Sequence, residues 1–228
     1  MSTAIESAYF PGKYLALLPQ GEPYPMPKVP PHGWGRAEVS QSVRWFEKLR
    51  MTREGDGTVT FTSEMVSDRR FYLRADGRGV TRTTATGGGV LNVQAFAGPW
   101  ERFRIQNQPD GTVAIASAAF PNVFIRMQYG DNTGIANLQY RVGGWEKFRL
   151  VDVPDVPQEN KMVHVPNLLP LTPGQAKSAI QSSGLTYKET VLAGPALNRV
   201  VSQNPRPEML VGRPSVVEVT VTRSTLPY

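Results

Sequence analysis

The chain has 228 residues, no cysteine, two histidines and a formal net charge of +6. That composition excludes disulfides, thiol nucleophiles and Cys-based zinc centres, and leaves little for a histidine-rich metal site. The length suits one large or two small domains, and strand-like runs broken by 21 glycines and 20 prolines point to a mainly β protein.

The opening stretch, MSTAIESAYFPGKYLALLP, has no basic segment followed by a long apolar run. No signal peptide and no membrane insertion are therefore expected. The chain is expected to be cytoplasmic as synthesised, with release or export by a non-classical route as the alternative. Ala4–Leu17 reads as strand, short loop, strand. From Pro19 to Glu38 follows PQGEPYPMPKVPPHGWGRAE, whose prolines 19, 23, 25, 27, 30 and 31 favour polyproline II and oppose sheet pairing. It carries Tyr24, Met26, His32 and Trp34, and reads as an insertion replacing a turn of a few residues. Two readings stand: a stiff recognition loop, or a cover over one end of the fold.

FEKLRM (Phe46–Met51) is the first of three related hexamers; WERFRI (Trp100–Ile105) and WEKFRL (Trp145–Leu150) are the others. The first two each lead into a strand, an Asp-Gly turn (Asp56-Gly57, Asp110-Gly111), a strand, a short loop and a strand. The third copy is divided between the termini. Ala4, Ile5, Ser7, Ala8, Phe10 and Pro11 recur as Ala114, Ile115, Ser117, Ala118, Phe120 and Pro121. Three units of about 4–50, 51–104 and 105–153, with the N-terminal strands completing the last type, imply a closed, threefold pseudo-symmetric structure without exposed sheet edges.

Alternation places the hexamers. Phe103 and Ile105, Phe148 and Leu150, and Leu49 and Met51 face the core. Trp100, Trp145 and Phe46 start the strands, and the Trp-to-Phe exchange reads as packing rather than ligand stacking. Glu47/Lys48, Glu101/Arg102 and Glu146/Lys147 read as a solvated strand face.

Such units resemble a β-trefoil. The W-E-x-F endings preceded by Gly-Pro or Gly-Gly resemble fascin-type repeats. ESAYFPGKYL is similar to the opening of arabinose-binding trefoil modules attached to arabinofuranosidases. The resemblance covers about two thirds of the chain, 1–153. Sugar-binding trefoils often pair an Asp with Asn or Gln beside an aromatic platform. That implies Asp76 with Asn92 and Gln94, and Asp131 with Asn137 and Gln139, with Tyr129 or Tyr140 as the ring. Gln41 stands nearby in the first unit, which keeps no Asn. The alternative is that these amides secure turns.

Residues 154–162 read as a polar linker. Beyond it, Val163–Val165 reads as a strand, Thr172 as an N-cap with Pro173 at the first helical position, Ala176, Ala179 and Ile180 as an apolar stripe, and Gly184 as the residue ending the helix. Thr186–Leu192, VVSQNP and Ser215–Thr222 complete a small α+β fold. VPNLLPLTPGQAKSAIQSSGL and VVSQNPRPEMLVGRPSVVEVTVT resemble a PASTA domain over 163–223, with Glu208-Met209 where a glycine is usual. The resemblance implies bacterial origin and peptidoglycan binding or a spacer role, and Arg199, Gln203 and Arg206 could face an anionic ligand.

No catalytic constellation emerges. His32 and His164 have no nucleophile-elbow motif near them, no acid pair suggests glycoside chemistry, and the glycines at 77–79 and 87–89 do not precede a helix. The basic excess is spread along the chain, which disfavours nucleic acid. The expectation is a non-catalytic binding protein without cofactor or metal. Its trefoil engages carbohydrate or a cell-surface ligand, and its C-terminal module tethers it to cell wall or a larger assembly. The alternative is a protein-binding scaffold, such as a toxin or injection-system accessory contacting a partner through residues 19–38.

Overall fold

The computed structural model describes residues 1–18, 32–84, 86–194 and 198–223. It has two compact units, the first ending at Val156 and the second beginning at Pro157. The first contains β1 (Ser2–Ser7), β2 (Tyr14–Leu18), β3 (Arg36–Ser40), β4 (Leu49–Arg53), β5 (Val59–Ser63), β6 (Tyr72–Asp76), β7 (Val90–Gln94), β8 (Phe103–Asn107), β9 (Val113–Ser117), β10 (Phe124–Gly130), β11 (Thr133–Gln139) and β12 (Phe148–Val153).

Six of these strands close a ring. β1 pairs with β4 and β12, β5 with β4 and β8, and β9 with β8 and β12. Closure leaves the barrel without a free edge. The other six form three hairpins, β2–β3, β6–β7 and β10–β11. A six-strand barrel capped by three hairpins is a β-trefoil, so the threefold repeat is the fold. The termini share a lobe as the split repeat requires: β1 runs against β12 from Ser2↔Val153 to Ser7↔Phe148.

Equivalent positions build the core in layers. Leu49, Phe103 and Phe148 form one set, Ile5, Phe61 and Ile115 another, and Leu15, Leu73 and Ile125 a third, all fully buried. The Asp-Gly turns form as expected. Gly57 and Gly111 take φ of 78° and 79°, and Thr58 and Thr112 donate backbone N–H and hydroxyl to the preceding Asp.

The three hairpins differ in their connections. Residues 19–31 of the Pro-rich stretch, including Tyr24, lie outside the described residues. The expectation that only this copy has a long connection is corrected by the second hairpin, which runs from Gly77 to Gly89 between strands. The third turns on Asp131 and Asn132 alone, both at positive φ. The first two hairpins each grip the next lobe. Trp34 pairs with Val93, and Gly88 with Leu138, through mutual backbone hydrogen bonds. Gly33 and Gly87 precede them at φ 72° and 76°, where a Cβ would meet the amides of Asn92 and Asn137.

The second unit holds β13 (Met162–His164), α1 (Pro173–Ser182), β14 (Thr186–Ala193), β15 (Arg199–Asn204), β16 (Leu210–Gly212) and β17 (Val216–Arg223). β17 lies between β14, parallel to it, and antiparallel β15; β13 pairs with β16. Thr172 caps α1, accepting from Gln175 N, and Gly184 ends it at φ 70°. Ala176 and Ile180 pack with Val163, Leu185, Val200, Val217, Val219 and Val221. In the segment read as a linker, Asp155 accepts from Ser2 Oγ and Val156 is buried.

Candidate ligand-binding site

Strand register defines equivalent sites in the lobes. Opposite Asn92 stands Arg74, and opposite Asn137 stands Arg126. Both arginines are almost fully buried, at 1% and 2% exposure. Arg74 donates to Asn92 Oδ1 at 3.1 Å and Asp76 Oδ2 at 3.4 Å, and lies 3.8 Å from Glu101. Arg126 donates to Asn137 Oδ1 at 3.0 Å and Gln128 Oε1 at 2.7 Å, and lies 3.7 Å from Glu146. Each guanidinium stacks on the tryptophan of its hexamer, 4.5 Å above Trp100 and 4.6 Å above Trp145.

This arrangement corrects two expectations about the hexamers. Glu47, Glu101 and Glu146 are buried rather than solvated. Each turns back to accept a backbone N–H three residues earlier, from Arg44, Gly98 and Gly143. The hexamer begins in a tight turn before its strand, so strand alternation does not govern the glutamates. The aromatics Phe46, Trp100 and Trp145 are half-buried, not core. The tryptophans roof a buried cation, and Trp145 also borders open space.

Burial raises the carboxyls of Glu101 and Glu146 above the usual range, against the pull of the backbone N–H and the arginine. Burial lowers the Arg126 guanidinium, against the pull of Glu146.

The first lobe lacks this set. Ala16 takes the arginine position, Glu38 that of the Asn, Ser40 that of the Gln and Phe46 that of the Trp. Gln41 instead accepts from Lys13 Nζ.

The amides suggested by resemblance divide accordingly. Asn92 and Gln94 are buried, and Asn92 also donates to His32 O at 2.9 Å. Gln94 and Gln139 accept from the next backbone N–H. Asp76 meets Asn92 through Arg74, and is itself held by Arg78. Asp131 is not brought to Asn137. It sits at the hairpin tip, with about 13 Å of strand between Thr133 and Asn137 at about 3.3 Å per residue. Tyr140 packs against the core and accepts from Asn122 Nδ2, and Tyr129 lies beneath Lys13 Nζ. Trp34 lies edge-on to Phe71 at 5.0 Å, and His32 is exposed.

A cavity of about 530 Å³ opens in the third lobe. Arg126 comes from β10 and Gln139 from β11, with Arg141 just beyond it. Trp145 and Glu146 come from the turn before β12, Tyr9 from the turn after β1, and Arg82 to Thr84 from the β6–β7 connection. Tyr9 is 59% exposed and stands edge-on to Trp145, ring centres 6.3 Å apart. Sequence reasoning missed Tyr9, Arg82, Arg126 and Arg141. A signal for Arg126 was present: YLALL, YLRAD and FIRMQ align, and two of three otherwise apolar strands carry an arginine at the same place.

In the second unit, Gln203 is a clasp. It accepts from Leu168 N at 2.8 Å and donates to Pro166 O and Pro205 O. Arg199 donates to Pro170 O, and Arg206 is exposed. Among the described residues no group of three or more His, Cys, Asp or Glu could hold a metal ion, and no helix is long and apolar enough to cross a membrane.

A family model described as PASTA domain matches residues 163–223. A search of curated proteins finds no match. Among solved structures, a mosquitocidal holotoxin is similar at a TM-score of 0.51 and 9% identity over 68% of this chain. The chain spans only 17% of that toxin's length, and the likeness concerns the fold alone. A designed threefold-symmetric protein, ThreeFoil, is 18% identical with a TM-score of 0.44, over 67% of this chain and 99% of its own. A salivary protein from Culex quiquefasciatus of the Cysteine and Tryptophan-Rich family is 10% identical with a TM-score of 0.46, over 67% and 93%.

Proposed function

We propose that this is a non-catalytic binding protein in which the trefoil takes a carbohydrate in its third lobe and the PASTA-like module attaches to cell wall. The cavity beside Trp145 carries this reading. Its volume, about 530 Å³, accommodates a sugar unit. It combines the half-buried indole and the exposed Tyr9 ring, which suit the C–H face of a pyranose, with Gln139, Thr83 and Thr84, which suit hydroxyls. In the second lobe the corresponding tryptophan is covered by a further guanidinium, with Arg78 5.0 Å above Trp100. One working lobe is therefore expected.

A glycan array spanning plant, bacterial and host sugars, probed with the full chain and with Trp145→Phe, tests the trefoil reading. Phe is the hexamer's own residue in the first lobe, so the fold should survive while glycan binding weakens. An array blank for the native chain removes the reading. For the C-terminal module, co-sedimentation with purified peptidoglycan should fall for Arg199→Glu/Arg206→Glu; equal sedimentation of both proteins would assign those residues to solvent only.

A further inference from the structure

The third-lobe cavity carries more positive charge than its scaffold uses. Arg126 is matched by Glu146, and Lys147 in the adjoining cleft by Asp110 at 2.6 Å. Arg82 and Arg141 differ. They come from separate elements, the β6–β7 connection and the segment after β11, yet both line the cavity and both are exposed. Among the described residues neither pairs with a carboxylate. The polar contact between them is Arg141 Nη2 donating to Arg82 O at 3.4 Å. That bond fixes the relative position of the two segments and leaves the Arg82 guanidinium, with Nε and Nη1 of Arg141, available.

The Arg82 segment is a shaped turn. Thr81 N donates to Thr84 Oγ1 at 2.9 Å, Thr84 N donates to Thr81 O at 3.0 Å, and the hydroxyls of Thr81 and Thr83 lie 3.0 Å apart. The acid that lines the cavity, Glu146, is committed to Gly143 N–H and Arg126. Two like charges directed at one space without a counter-ion repel; an anion between them removes the repulsion and accepts charge-assisted hydrogen bonds. In the second lobe the position of Arg141 is taken by Phe96, so the feature is particular to the cavity that also offers the rings.

We infer that the cavity selects an acidic sugar, one pyranose bearing a carboxylate or a sulfate, with its ring toward Trp145 and Tyr9 and its anion between Arg82 and Arg141. The inference rests on the reading of this cavity as a carbohydrate site. Calorimetric titration of the full chain with methyl glucuronide, glucose 6-sulfate, methyl glucoside and inorganic sulfate tests it. At least one acidic sugar should bind about tenfold or more tightly than methyl glucoside, and the two acids identify the preferred group. Arg82→Gln and Arg141→Gln should each weaken the acidic sugar about tenfold, the scale of one lost hydrogen bond to a charged group, and leave methyl glucoside and the thermal transition unchanged. Equal affinity for methyl glucoside and both acids would overturn the inference while leaving the carbohydrate reading intact. Inorganic sulfate binding as tightly as the acidic sugars, or no binding by any of the four, would overturn both.

Discussion

Replacing Arg126 by leucine tests how the buried cation is held. The substitution keeps an apolar stem under Trp145 and leaves the Glu146 carboxylate, 5% exposed, without its cation. Breaking a buried pair by removing one partner costs about 3–5 kcal/mol. Glu146 keeps the Gly143 N–H at 2.7 Å, and the first lobe keeps the equivalent Glu47 buried although Ala16 takes the arginine position, so the lower end, about 3 kcal/mol, is expected at neutral pH. The sign with pH follows from the arginine's effect. It lowers the Glu146 carboxyl that burial raises, so its loss raises that carboxyl further. A carboxyl raised in the folded state contributes stability that is present at low pH and lost as pH rises through its folded value. The penalty of Arg126→Leu should therefore shrink on acidification, and Arg126→Leu/Glu146→Gln should recover most of it at neutral pH. Urea unfolding followed by tryptophan fluorescence reads this unit alone, because Trp34, Trp45, Trp100 and Trp145 all lie within it. A pH-independent penalty, or a double variant as unstable as the single, would refute the charge argument and assign the loss to packing.

Gly87→Ala should lower the melting temperature more than Gly111→Ala. Both residues have φ near 76–79°, but a Cβ at Gly87 would lie 2.6 Å from Asn137 Oδ1 while Gly111 faces open space. In the second unit, Gln203→Ala should sharply increase hydrogen exchange at the Leu168 amide, which donates to Gln203 Oε1. Unchanged exchange would mean the clasp is dispensable. The Tyr187 hydroxyl, pushed up to about 12 by burial and its hydrogen bond to Glu189, should remain neutral at pH 10–11. Its stabilising contribution should be present below the ordinary tyrosine range near 10 and lost as pH rises through about 12, as read from the phenolate difference spectrum between native protein and Tyr187→Phe.

Repetition made the trefoil legible before any coordinates. Matching Ala4–Pro11 with Ala114–Pro121 placed both ends of the trefoil in one lobe, and β1 does lie along β12. Capping chemistry made α1 legible, since Thr172, Pro173 and Gly184 mark its ends through local bonding. The candidate site was less readable, because its residues come from elements far apart in the sequence. Arg82 and Arg141 stand in polar, turn-rich stretches where an exposed arginine is ordinary, and their segments are brought together by the hairpin-to-hairpin bridge of Gly88 with Leu138 and by the bond from Arg141 to Arg82 O. The glutamates of the hexamers were misplaced for a related reason: a two-residue periodicity was extended into a turn.

The three lobes also separate what the repeated residues do. The glutamate is kept in all three, as is its bond to a backbone N–H three residues earlier, so its shared duty is the turn. Arginine, tryptophan and asparagine are kept together in the second and third lobes and replaced together in the first by Ala16, Phe46 and Glu38. Side chains that serve a ligand one by one need not change as a group. Side chains that satisfy one buried guanidinium must, because removing the cation leaves the tryptophan face and the asparagine carbonyl without their partner. The Arg-Trp-Asn set is therefore scaffold in both lobes that contain it, and whether the outer face of its indole meets a ligand falls to what differs between those two lobes. Those differences are Arg141 in place of Phe96, and Tyr9 beside Trp145 where the second lobe has Ala119.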